Sequence, residues 1–252
     1  MNPGLLLVKR SIIRLLKNPT SPLSGLGMSL FFLIVYNAGI GGVGDLPQFG
    51  GSGYFAFLFP LGIVSLSMGS AAGSGLTLYD GIRTGYFKRL FLSPIPRWSF
   101  AAAPLTADGA ATLLASIVLI LTGLLFGLPL RFGIYSFLGI LLLSFFWCLF
   151  LSGLSAGVML RTGNHQSAQL VTSAVFPLIF LSTTFMPREL ITSRWLQVIS
   201  YGNPVTYLLE GMRWLLGGTA PFSSFLAGIC MTGAGALLAV LFALTGARKV
   251  LI

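Results

Sequence analysis

Gly109-Ala-Ala-Thr-Leu-Leu-Ala-Ser-Ile-Val-Leu-Ile-Leu-Thr-Gly-Leu-Leu-Phe-Gly-Leu128 carries no charge over about twenty residues, the length a helix needs to cross the ~30 Å hydrocarbon core of a bilayer. The rest of the chain repeats the pattern. Across it 55% of residues are apolar and 8% charged, which excludes an ordinary soluble domain and points to one polytopic membrane domain over residues 1–252. Asp108 stands immediately before the stretch. An aspartate at the bilayer centre costs roughly 2.5 to 3.5 kcal/mol, so Asp108 is expected at the membrane edge, at the helix N-terminus, as a positioning residue rather than a proton carrier.

Five further apolar segments flank this one. Upstream, Tyr54 to Tyr79 is long enough to span with tilt, and its half Met68-Gly-Ser-Ala-Ala-Gly-Ser-Gly75 is small on every side, as a helix packed closely on protein would be. The first span runs from Pro22 to about Gly42. Before it, Leu5, Val8, Ile12, Leu15 and Leu16 share one helical face opposite Arg10, Arg14 and Lys17, so residues 5–17 read as an interfacial amphipathic helix that Pro19 and Pro22 end. No convincing small-residue cleavage site follows, and the N-terminus is expected to be retained. Downstream come a fourth span from about Phe132 to Leu160, a polar turn at residues 161–166, a fifth span from Ser167 to Met186 and a sixth from about Phe222 to Thr245. Residues 187–218 are too polar to cross and too apolar to be a free loop. They read as short re-entrant helices in the outer interface, with Trp195, Tyr201, Tyr207 and Trp214 at headgroup level.

Six spans place both termini on one side, and the basic residues choose the side. Lys9, Arg10, Arg14, Lys17, Arg83, Lys88, Arg89, Arg97, Arg161, Arg248 and Lys249 fall with the termini; only Arg131, Arg188, Arg194 and Arg213 fall opposite. The positive-inside rule makes the termini cytoplasmic and residues 80–98 the largest cytoplasmic loop. The net charge of +10 is thereby explained by topology, not by nucleic acid.

Several chemistries are excluded or weak. No Gly-x-x-x-x-Gly-Lys-Ser/Thr phosphate loop occurs, so this chain binds no ATP of its own and any ATP is handled by another chain. His165 is the one histidine, which leaves no multi-histidine metal site, and Cys148 and Cys230 lie in apolar runs without ligand spacing. Gly153-Leu-Ser-Ala-Gly157 matches the Gly-x-Ser-x-Gly pattern of a serine hydrolase, but His165 lies in the turn after the same span, and small residues on a packed helix explain the match more simply. An intramembrane hydrolase using Ser155 is the alternative from the enzyme class, and an ATP-independent lipid scramblase or channel is a third. The near absence of charge within the spans disfavours an ion or proton carrier and suits a conduit for amphiphiles.

Two segments carry candidate function. In Asp80-Gly-Ile-Arg-Thr-Gly-Tyr-Phe-Lys-Arg-Leu-Phe-Leu-Ser-Pro94 an acid stands first, cations follow, proline is absent until Ser93-Pro94, and the pattern predicts a short capped helix from Asp80 to Leu92. It is either a basic loop that sets topology or, with the bulk of Tyr86, Phe87 and Leu90, a plug for a cleft on a partner protein. In the outer segment Glu210 and Arg213 are either an i,i+3 surface pair or a clasp that holds the re-entrant helices as an extracellular gate.

These two segments also resemble a known family. Gly85-Tyr-Phe-Lys-Arg-Leu-Phe-Leu-Ser-Pro-Ile-Pro-Arg97, with Ala107-Asp108 after it, resembles the cytoplasmic loop of ABC type-2 exporter permeases, the daunorubicin and multidrug exporters in particular. Phe185-Met-Pro187, Trp195-Leu-Gln197 and Asn203-Pro-Val-Thr-Tyr-Leu-Leu-Glu-Gly-Met-Arg213 resemble the block between that family's fifth and sixth spans. The resemblance implies an all-α membrane subunit that exports an amphiphile outward across the bacterial plasma membrane. It implies pairing with a second permease, identical or related, and with two cytoplasmic ATPase subunits that carry ATP and magnesium. Asp80, Gly81, Arg83, Gly85, Tyr86, Phe87, Arg89, Leu90, Ser93 and Pro94 would then form the coupling segment seated on the ATPase. Phe185, Pro187, Trp195, Asn203, Pro204, Glu210 and Arg213 would belong to the outer gate, with no catalytic residue, cofactor or metal on this chain.

Overall fold

A computed structural model describes residues 20–40, 53–85, 98–218 and 220–249. All regular elements among them are helical. They are α1 (Thr20–Ile40), α2 (Gly53–Arg83), α3 (Trp98–Leu125), α4 (Ile134–Thr162), α5 (His165–Ser173), α6 (Val175–Phe180), a 3-10 turn at Arg188–Leu190, α7 (Arg194–Gly202), α8 (Pro204–Leu215) and α9 (Phe222–Lys249). Among the described residues, α2, α3, α4 and α9 are long and apolar enough to cross a membrane, and α1 contains the shorter apolar run Gly25–Val35. The expected interfacial helix over residues 5–17 and most of the 80–98 loop lie outside the described residues.

The bundle is built around α2, whose most apolar stretch is 78% buried against 22% for α9 at the periphery. α2 packs on α1, α3, α4, α5 and α8, and α4 makes its widest contact with α9. Small residues permit these approaches. A Cβ on Gly25 would lie 2.9 Å from the Leu66 carbonyl oxygen, and one on Gly153 would lie 2.7 Å from the backbone of Ala239. Neither neighbour is a side chain that can swing away, so these positions need glycine for the helices to meet. At the far end of α4, Arg161 donates to the carbonyls of Gly157 at 2.9 Å and Phe242 at 2.8 Å and lies 3.7 Å over the Phe242 ring, fastening α4 to α9.

Four expectations are corrected. The third span begins at Trp98, so Asp108 lies inside a helix and not at its N-terminus. The stretch from Ser167 to Met186 is not one helix: α5 stops at Ser173, α6 runs from Val175 to Phe180, and turns follow. Pro177 has no N–H for the Ser173 carbonyl, which breaks the ladder there. At the second break the Ser182 hydroxyl takes the Ile179 carbonyl at 2.7 Å, a local bond that competes with helix continuation. Asp80 does not head a separate helix, because Asp80 to Arg83 form the last turn of α2. Thr84 then bonds back to the Asp80 carbonyl, and Gly85, at φ +67°, takes the left-handed conformation that terminates helices. The fourth correction concerns Glu210 and Arg213.

Candidate functional site

Arg213 is the best-anchored charge among the described residues of the outer segment. α8 begins at Asn203, whose Oδ1 accepts the Val205 N–H at 3.0 Å while Pro204 supplies the fixed backbone angle that suits a first helical turn. The Asn203 side-chain amide also donates to the Leu178 carbonyl at 2.6 Å, at the frayed end of α6. α8 is thus pinned to the broken stretch, and Arg213 follows on its buried side.

The Arg213 guanidinium donates to the Phe57 carbonyl at 3.1 Å, to Thr183 Oγ1 at 3.3 Å and to the Thr184 carbonyl at 3.0 Å, and its carbon lies 3.5 Å from the Phe57 ring centroid. Broken helix is what makes this possible, since the turn after α6 offers carbonyl and hydroxyl oxygens that a regular helix would keep for itself. Burial pulls the Arg213 guanidinium down to about 9, opposed by Glu210 and then Tyr54; it stays charged at neutral pH. Glu210 forms its ion pair with Arg188, Nε to Oε1 at 2.9 Å, so the expected partnership of Glu210 with Arg213 one turn along is replaced by one across elements. Burial raises the Glu210 carboxyl, and Arg188 followed by Arg213 oppose the rise. Arg188 also lies 4.3 Å over the Tyr201 ring.

Of the outer residues singled out by sequence, Pro187, Glu210 and Arg213 come together, while Asn203 and Pro204 sit at the start of α8, roughly 15 Å of helix from Arg213. Phe185 joins through its carbonyl, which Tyr54 reaches at 3.4 Å, and its ring packs 5.5 Å from Phe180. Trp195 does not join; it is exposed on α7 beside exposed Val198 and Ile199, an apolar face turned outward. Arg188, Thr183 and Thr184 were not singled out. The run Ser182-Thr183-Thr184 in an apolar segment was the available signal for the last two; Arg188 had none.

A second polar knot lies in the bundle interior. Asp108 Oδ2 accepts the Ser74 backbone N–H at 2.9 Å and the Ser152 hydroxyl at 3.0 Å, so one carboxylate joins α2, α3 and α4. Gly73 faces the other oxygen, 2.8 Å from where its Cβ would be. The knot sits roughly 15 Å of helix from Arg83 on α2 and from Trp98 on α3, the two ends that flank the 80–98 loop. Of the loop, Asp80, Gly81, Arg83 and Gly85 are placed at and just after the end of α2, while Tyr86, Phe87, Arg89, Leu90, Ser93 and Pro94 lie outside the described residues.

The hydrolase alternative finds no support in geometry. Ser155 Oγ is buried without a hydrogen-bond partner among the described residues and lies 2.7 Å from the Cβ position of Gly75, a packing contact. His165 opens α5 with its ring 5.8 Å from that of Tyr79. No group of three metal-ligating side chains occurs among the described residues.

Comparison with known proteins agrees with the architecture. The sequence model of the ABC-2 type transporter family matches residues 4–216. The chain is 27% identical over 215 residues to the "Putative transport permease ycf38" of Cyanophora paradoxa, covering 83% of this chain and 72% of that one. The protein of the same name from Pyropia yezoensis is 26% identical over 216 residues, again 83% and 72%. The daunorubicin resistance ABC transporter permease protein DrrB1 of Streptomyces coeruleorubidus is 25% identical over 197 residues, 77% of this chain and 68% of its own.

Proposed function

The chain belongs to the ABC-2 type transporter family, and from that membership we propose that it is the permease subunit of an ATP-driven exporter. Its substrate is an amphiphile, drug-like or lipid-like, moved outward across a bacterial plasma membrane. The family match from residue 4 to residue 216 carries this reading, because it takes in both the 80–98 loop and the Arg213 cluster. The daunorubicin resistance relative supports the substrate class. α1, α2, α3, α4, the broken stretch 165–186 and α9 make six crossings with both termini cytoplasmic. With no phosphate loop in the chain, two cytoplasmic ATPase subunits bind and hydrolyse ATP with magnesium, and a second permease, identical or related, completes the path.

In this reading the coupling segment from Asp80 to Pro94 seats on an ATPase subunit. Closure of the ATPases moves it, and α2 and α3 follow as a rigid body because Asp108 ties them to α4. On the opposite end the Arg213 cluster holds the re-entrant helices as an outer gate. The test is the double variant Tyr86→Glu with Leu90→Glu, reconstituted with its ATPase. Export is expected to fall at least tenfold and substrate-stimulated hydrolysis to be lost, with the helical content unchanged. Normal export and normal stimulation in that variant would overturn the proposal.

A further inference from the structure

A cavity of about 500 Å³ opens at the end of the bundle opposite the 80–98 loop, between the first turn of α2, the turn after α6, α8 and the start of α9. Its lining is mixed: apolar Phe57, Leu216 and Pro221 stand among charged Arg188, Arg213 and Glu210, with Arg213 lying over the Phe57 ring. Glu189 also lines it, on an exposed side chain, so two guanidiniums share the cavity with two carboxylates.

One of these guanidiniums is incompletely satisfied from within the protein. Arg213 spends three N–H donors on Phe57, Thr183 and Thr184. Arg188 Nε lies 2.9 Å from Glu210 Oε1 as an ion pair and the guanidinium lies over the Tyr201 ring, yet Nε and Nη2 are buried with no hydrogen bond among the described residues. A buried guanidinium donor without an acceptor is costly, and the group that relieves it best is a planar or tetrahedral oxyanion able to take two parallel N–H bonds. The apolar lining residues suit the hydrocarbon next to such a group.

We infer that this cavity is a binding site for an oxyanion, a carboxylate or a phosphate monoester, carried as the head of an amphiphile whose apolar part lies along Phe57, Leu216 and Pro221. Arg188 is the main ligand. Glu210 competes for Arg188 and weakens the site. The inference is independent of ATP and of the direction of transport.

The test is a titration of the purified full chain in neutral maltoside detergent with lysophosphatidate, lysophosphatidylcholine or inorganic phosphate, read as the shift in each variant's own melting temperature. Saturable stabilisation by lysophosphatidate, absent with lysophosphatidylcholine, is expected. Arg188→Gln should weaken it at least tenfold in half-saturating concentration, and Glu210→Gln should strengthen it. Arg83→Gln, at the other end of α2, should leave it unchanged and so controls for general attraction to a basic protein. Equal stabilisation by inorganic phosphate would also support the oxyanion site and would assign it to a free anion. The inference is overturned if neither anion stabilises the chain, if Arg188→Gln binds as the parent does, or if Arg83→Gln loses as much as Arg188→Gln.

Discussion

At the scale of single residues, Arg213 and Asp108 are the charges that join elements. Spacing alone allows Arg213 either a surface pair with Glu210, three positions before it, or a clasp on the outer helices. Its hydrogen bonds run to α2 and to the turn after α6, and not to Glu210. Asp108 was placed at the membrane edge because an isolated aspartate is costly in lipid, but a carboxylate that accepts an N–H and an O–H within a protein seam is not isolated. Its contribution is open to measurement. Asp108→Ala leaves the Ser74 N–H and the Ser152 hydroxyl without their acceptor and is expected to cost about 1–3 kcal/mol. Asp108→Asn keeps an acceptor oxygen and should lose less. Thermal unfolding in detergent orders them parent, then Asn, then Ala; an Ala variant as stable as Asn would mean that the carboxylate joins nothing.

At the scale of elements, composition located the apolar segments well and their interruptions badly. A run of apolar residues from Ser167 to Met186 satisfies any hydropathy criterion, yet Pro177 withholds a backbone donor and Ser182 diverts a carbonyl. Both effects are visible in sequence only when backbone bonds are followed one by one. The end of α2 was missed for a related reason. The acid at Asp80 resembled a helix start, whereas the decisive residue is Gly85, which takes a positive φ and ends the helix already under way. Close approach of α4 and α9 gives the element-scale prediction. Gly153→Val would set a Cβ 2.7 Å from the Ala239 backbone, a clash that no rotamer relieves, and is expected to cost roughly 1–3 kcal/mol. Gly202→Ala, on α7 with nothing within 4 Å of its Cβ position, should be neutral. A melting temperature for Gly153→Val equal to that of the parent would show that the two helices do not meet there.

At the scale of the whole molecule, α4 is long enough to separate its two ends across a bilayer, and the basic residues predict which end faces out. With Cys148 and Cys230 replaced by alanine, Arg131→Cys should react with a membrane-impermeant maleimide from outside intact cells, and Thr162→Cys only after permeabilisation. The reverse order, or labelling of both from outside, would overturn the six-span orientation. The amino-acid sequence by itself determined the class: apolar helices of membrane-spanning length, no phosphate loop and a family likeness in two blocks. Those properties depend on composition, segment length and local pattern, which one chain displays along its length. Only the tertiary structure decided which polar groups matter together. Arg188 and Glu210, Arg213 and Phe57, and Asp108 and Ser152 are distant in sequence, and the low dielectric of the bundle makes a buried charge seek a partner wherever folding brings one within hydrogen-bond reach.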